Sequence, residues 1–206
     1  DTNLLERPKL ELEELGKPIN FDWNKCKLET VSYGHGITTT PLQATSIYAS
    51  LTNGGKIVEP KLIKKKSPIE KKRLVSETTS KNINNILRKV VSETHGTAKL
   101  ADIHGYYVGG KTGTSQNYDN ESQNLNTFIS VFPSNKPKYA LLVMLENPQI
   151  AKNLIYNYKG MKIKGFRNEA GWNSVYVAGK IIEKIGPILA IKSREFNNRY
   201  VAETIN

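Results

Sequence analysis

The stretch GYYVGGKTGTSQ, residues 105–116, supports two incompatible readings, and the choice between them decides the fold. From Gly105 it spells G-x-x-x-x-G-K-T, a loop that cradles phosphate. From Lys111 it spells K-T-G-T, a strand that holds a carboxylate beside a serine nucleophile. A phosphate loop needs an apolar strand leading in and a helix beginning at the Lys-Thr pair, so that amides and helix dipole face the anion. Here LADIHG (100–105) leads in and GTSQNYDNESQNLN (113–126) follows, neither an apolar strand nor a periodic helix. YALLVMLE (139–146) could imitate a magnesium-holding acidic strand, but it cannot repair those flanks. The strand reading asks only for an open side: Lys111 supplies the cation, Thr112 and Thr114 donate hydroxyls to a carboxylate, and Gly113 leaves room between them.

The flanking sequence sets this strand in a mixed fold. In YGHGITTTPLQATSIYASLTNGG (33–55), Thr40 can cap a helix, Pro41 suits its first position and Gln43 completes a capping box. Asn53-Gly54-Gly55 stops that helix. KIVEPKLIKK (56–65) reads as an extended arm or edge strand interrupted by Pro60. Ile83, Ile86, Leu87, Val90 and Val91 recur at three and four and predict an amphipathic helix ending before Gly96-Thr97. NTFISVFPSNKPKYALLVMLEN (126–147) reads as two apolar strands joined by a Pro-Ser-Asn-Lys-Pro turn. Val175, Ala178, Ile181, Ile182 and Ile185 predict a last helix stopping at Gly186-Pro187. Helices, then three strands, then a helix predict an α+β fold with a mostly antiparallel sheet flanked by helices.

Composition limits what this fold can serve. With 206 residues, 38% of them hydrophobic, the chain suits one domain with its own core. Thirty basic against nineteen acidic side chains leave a net charge of +11. The densest run, Lys64-Lys65-Lys66 and Lys71-Lys72-Arg73 around Ser67-Pro68, has no interleaved aromatic residues to stack bases, so it reads as a solvated loop and nucleic acid is not an expected partner. The longest apolar run, Tyr139–Leu145, is far short of the roughly 18 residues that span a bilayer. Cys26 stands alone, and His35, His95 and His104 lack the short spacings of zinc sites. No metal or organic cofactor is expected. Residues 1–30 are charged, proline-punctuated and only weakly periodic through Leu10, Leu12 and Leu15, so they read as a connecting segment, and 191–206 as a tail.

Four blocks in order, YGHGITTTPLQATSIYASLTNGG, VVSETHGTAKLADIHGYYVGGKTGTSQ, FISVFPSNKPKYALLVMLENP and AGWNSVYVAGKIIEKIGPIL, resemble the transpeptidase domain of class B penicillin-binding proteins, especially the division-specific type. The resemblance covers most of residues 30–190. It implies that Lys111, Thr112, Gly113 and Thr114 line an active-site cleft on a sheet-edge strand and bind substrate, with the Thr114 amide in the oxyanion hole. It also implies a D,D-transpeptidase that cross-links peptidoglycan stem peptides ending in D-Ala-D-Ala and is acylated by β-lactams. A membrane anchor, action on the periplasmic side of the bacterial inner membrane and cell-division membrane proteins as partners are implied in the same way.

The family's chemistry starts at S-x-x-K, whose serine attacks the peptide bond while the lysine takes its proton. This sequence contains no S-x-x-K. Ser80-Lys81-Asn82 and Ser122-Gln123-Asn124 match the family's S-x-N, but the first opens a packing helix and the second follows K-T-G-T, so neither holds the family position. With K-T-G-T intact and the later blocks in order, the expectation is a C-terminal portion of the transpeptidase domain, inactive alone. The competing readings are a non-catalytic interaction or peptide-sensing domain that keeps the fold, and a serine β-lactamase relative.

Overall fold

The computed structural model describes residues 27–32, 34, 37, 39–63, 72–116, 124–165 and 167–203, of which 27, 116 and 193–203 are described by backbone alone. The weak pattern at Leu10–Leu15, Cys26, His35, Ser122 and most of the lysine run lie outside the described residues. The chain divides into two compact units, residues 1–81 and 82–206.

The first unit holds helices α1 (Lys27–Ser32) and α2 (Pro41–Thr52). The α2 terminus is the one its sequence specifies: the Gln43 amide donates to the Thr40 hydroxyl at 3.1 Å while the Thr40 amide donates to the Gln43 side chain at 3.4 Å. Gly55 follows at φ +80°, where a methyl group would lie 2.0 Å from the Val75 carbonyl oxygen, so only glycine fits. The arm beyond it is extended, and a bridge between Lys56 and Arg73 closes the turn. Ser76 starts helix α3 (Glu77–Ser92), its hydroxyl accepting from the Thr79 amide at 3.0 Å.

In the second unit, α3 is followed by a 3-10 turn (Lys99–Ala101) and strands β1 (Gly109–Gln116), β2 (Asn124–Phe132) and β3 (Tyr139–Glu146). The sheet runs in the order β1-β2-β3, antiparallel throughout, so β1 is an edge strand among the described residues. Period-two alternation gives the sheet two faces. Phe128 and Val143 turn one face into the core, against Val175, Ala178 and Ile182 of α4 (Ser174–Glu203). Gly109 brings the other face against α3, where a methyl group would lie 3.1 Å from the Arg88 nitrogen.

Three local expectations are corrected. The buried face of α3 runs through Ser80, Asn84, Leu87 and Val91, while Ile86 is 62% exposed, because small polar side chains share the face that periodicity assigned to apolar ones. Helix α4 does not stop at Gly186-Pro187; Pro187 lies inside it. A proline removes one backbone bond and kinks a helix, but Ile-Leu-Ala-Ile after it resumes helical pairing. A hairpin of strands β4 (Ile155–Tyr158) and β5 (Met161–Lys164) adds a second, two-stranded antiparallel sheet. Its two turn residues, Lys159 and Gly160, have φ of 48° and 82°, the left-handed pair of a tight hairpin turn.

One ion-pair cluster ties these pieces together. Arg88 reaches Asp102 at 2.7 Å and the Val108 carbonyl at 2.7 Å, and Lys159 from the hairpin turn meets the other Asp102 oxygen at 3.5 Å. The Asp102 side chain is only 13% exposed. Asp102→Ala is expected to cost about 2–3 kcal/mol, because it takes the carboxylate from a mostly buried guanidinium that then keeps only the Val108 carbonyl. A denaturation midpoint that barely moves would show that Arg88 finds another partner.

Candidate active site

Strand β1 carries the candidate residues, and alternation divides them. Thr112 and Thr114 project on the face shared with Phe128 and Asn126, their partners on β2, whereas Lys111 and Gly113 share the opposite face with Ile129 and Thr127. A cavity of about 300 Å³ opens beside the two threonines, lined also by Gly96, Thr97, Lys99, Glu169 and Trp172. Lys111 does not line it; its ammonium donates to the Thr112 carbonyl at 2.7 Å. The structure therefore brings Thr112 and Thr114 together and holds Lys111 at the strand beside them, with Gly113 exposed between.

The far wall is fixed by hydrogen bonds that span the sequence. The Ala170 amide donates to the Thr114 hydroxyl at 3.2 Å, which seats a second 3-10 turn (Ala170–Trp172) against β1. Beneath it, buried Asn126 donates to Asn168, and Asn173 donates to the same Asn168 oxygen at 3.1 Å. Trp172 is held by its own carbonyl, which accepts the Tyr156 hydroxyl at 2.6 Å, and by ring contacts with Tyr156 at 5.5 Å. Burial first, and neighbouring Tyr176 second, push the Tyr156 phenol above its ordinary range, so it stays a donor at neutral pH.

The hydroxyl inventory shows what this wall can do. Thr114 uses its oxygen as an acceptor from Ala170, which leaves its proton to donate. Thr97 and Thr112 share one hydrogen bond at 3.0 Å, and whichever hydroxyl accepts keeps a proton to give away. Two hydroxyl protons and the nearby Lys99 make an arrangement suited to an anion. Period-two geometry also sends the Thr114 amide to the same edge as that of Thr112. Sequence reasoning missed Thr97, Lys99, Glu169 and Trp172. It also passed over a further S-x-N match, Ser115-Gln116-Asn117, which overlaps the end of β1. Ser80 of the earlier match is 1% exposed inside α3.

Residues 9–165 match the penicillin binding protein transpeptidase domain. The probable peptidoglycan D,D-transpeptidase FtsI of Caulobacter vibrioides is 33% identical over 94% of this chain and 34% of its own length. Stage V sporulation protein D of Bacillus subtilis is 32% identical over 92% of this chain and 30% of its own length. Among solved structures, the transpeptidase domain of Burkholderia pseudomallei penicillin-binding protein 3 superposes with a TM-score of 0.74 at 21% identity, over 91% of this chain and 55% of that one. Penicillin-binding protein 3 of Mycobacterium tuberculosis, solved in complex with aztreonam, gives 0.59 at 25% identity, over 80% of this chain and 39% of that one. The chain belongs to the penicillin-binding protein transpeptidase family, and it spans about a third of the length of the curated relatives it matches.

Proposed function

We propose that this chain is the substrate-strand portion of a peptidoglycan D,D-transpeptidase, working as part of a longer protein that supplies the nucleophilic serine. The observation that carries this reading is the edge strand β1, whose Thr112 and Thr114 hydroxyls face a cavity beside a lysine and a glycine that leaves space. A stem peptide ending in D-Ala-D-Ala would lay its terminal carboxylate on Thr112 and Thr114, with Lys111 as the nearby cation. The scissile carbonyl would then meet the Thr114 amide, an oxyanion contact of a kind often worth about 3–4 kcal/mol. The serine would form an acyl-enzyme, and the amine of a second stem peptide would release it as a cross-link.

β-Lactams would enter by the same contacts. The relatives named peptidoglycan D,D-transpeptidase FtsI and stage V sporulation protein D support a role in wall synthesis; that it is septal, on the periplasmic side of the inner membrane and beside cell-division membrane proteins is part of the same proposal. Among the described residues no helix is long and apolar enough to cross a membrane.

Fluorescent penicillin tests the proposal. The whole protein should be labelled stoichiometrically at a serine outside residues 1–206, and the 206-residue chain alone should remain unlabelled, since it has no S-x-x-K. A stable adduct mapped to any serine within the chain would overturn this division of labour.

A further inference from the structure

The cavity beside β1 contains more than an anion site. Lys99 and Glu169 both line it, and Glu169 is the one carboxylate among its described lining residues. Lys99 comes from the 3-10 turn after α3, its ammonium 5.6 Å from the centroid of the Tyr158 ring, which gives the flexible side chain a preferred position. Glu169 leads into the second 3-10 turn, which the Thr114–Ala170 hydrogen bond fixes against the strand. Arg167 reaches Glu169 at 3.5 Å, but both side chains are half-exposed, so that pair can yield to another cation. At about 300 Å³ the space corresponds to roughly ten water volumes, room for a small amino acid with some of its hydration.

We propose that this cavity retains the free amino acid released in the acylation step, holding a zwitterion by its two charges at once. Its carboxylate meets Lys99, the Thr114 hydroxyl and the one hydroxyl proton that the Thr97–Thr112 pair leaves over, and its ammonium meets Glu169. The inference rests on the transpeptidase reading, and the chemistry follows from it. When the serine oxygen bonds to the carbonyl carbon and the C–N bond breaks, the serine proton passes to the leaving nitrogen. The resulting amine takes a further proton from water and becomes an ammonium. Before cleavage the uncharged amide N–H can give Glu169 only a single hydrogen bond, whereas the product's ammonium adds a full opposite charge. The site therefore discriminates product from substrate at that carboxylate and slows the departure of the amino acid.

The test uses the whole protein, with D-alanine as the zwitterion and propionate and ethylamine as its single-charge halves, each read as inhibition of fluorescent penicillin acylation. D-Alanine should inhibit at roughly tenfold lower concentration than either half. Glu169→Gln should remove its advantage over propionate, and Lys99→Met its advantage over ethylamine. Equal inhibition by D-alanine and propionate in the unsubstituted protein overturns the inference, as does an advantage that survives both substitutions. Penicillin labelling of the unsubstituted protein separates the two failures. If labelling is absent, the transpeptidase reading falls; if labelling is present but D-alanine is no better than propionate, only this inference falls.

Discussion

Phe128→Ala is expected to destabilise the chain by about 3–5 kcal/mol, a large share of the 5–15 kcal/mol typical of a whole domain. Phe128 is fully buried, stands opposite Thr112 in the ladder, and turns its ring over Gly110, where a methyl group would lie 2.6 Å from the ring edge. Removing the ring opens a void between β1 and α4, and neither can collapse into it easily. β1 is held by β2, and α4 is held by the contacts of Val175, Ala178 and Ile182 in the same core. Urea denaturation should show a lower midpoint with little change in slope. A loss under about 1 kcal/mol would mean that the sheet and α4 are not packed as described. Phe128→Leu, which refills most of the space, should recover much of the difference.

The second large effect concerns Lys111. In the whole protein, Lys111→Ala should slow penicillin acylation roughly ten- to a hundredfold, the consequence of losing one charge-assisted contact worth about 1.5–3 kcal/mol. The ammonium has three donors and gives one to the Thr112 carbonyl, so two can turn toward a ligand. Arginine should rescue only in part, because a planar fork does not reproduce a compact ammonium with three rotatable donors. Circular dichroism must show the variant folded, which is expected because Lys111 is exposed. The competing phosphate reading makes a contrary demand: saturable ATP binding that disappears in Lys111→Ala, with acylation unchanged, would transfer this lysine from a carboxylate to a nucleotide.

Much of the fold was written in local signals. The α2 capping box, the glycine stop after it and the β2–β3 hairpin all come from short words whose physics is complete within a few residues. The β4–β5 hairpin escaped because its left-handed turn begins at Lys159 rather than at asparagine or aspartate, and Gly160 alone does not announce a turn. The face of α3 was misjudged at Ile86 because Ser80 and Asn84 are buried polar residues that periodicity counts as outward. At the candidate site the contrast is sharper. K-T-G-T was legible as a strand, yet the wall opposite it depends on a hydrogen bond between Thr114 and Ala170, 56 positions apart. No local pattern contains such a contact, so Thr97, Lys99, Glu169 and Trp172 became visible only in three dimensions.

The exposed edge of β1 has a consequence for handling the molecule. A strand paired on one side among the described residues offers its remaining amides and carbonyls to any extended chain, including another copy of itself. What restrains such stacking is composition: Lys111 repels its own image, and Gly113 contributes no side-chain surface, whereas valine or isoleucine at these positions would make the edge adhesive. Concentrated solutions of the chain should therefore stay clearer at low ionic strength, where lysines repel over longer distances, than at high salt.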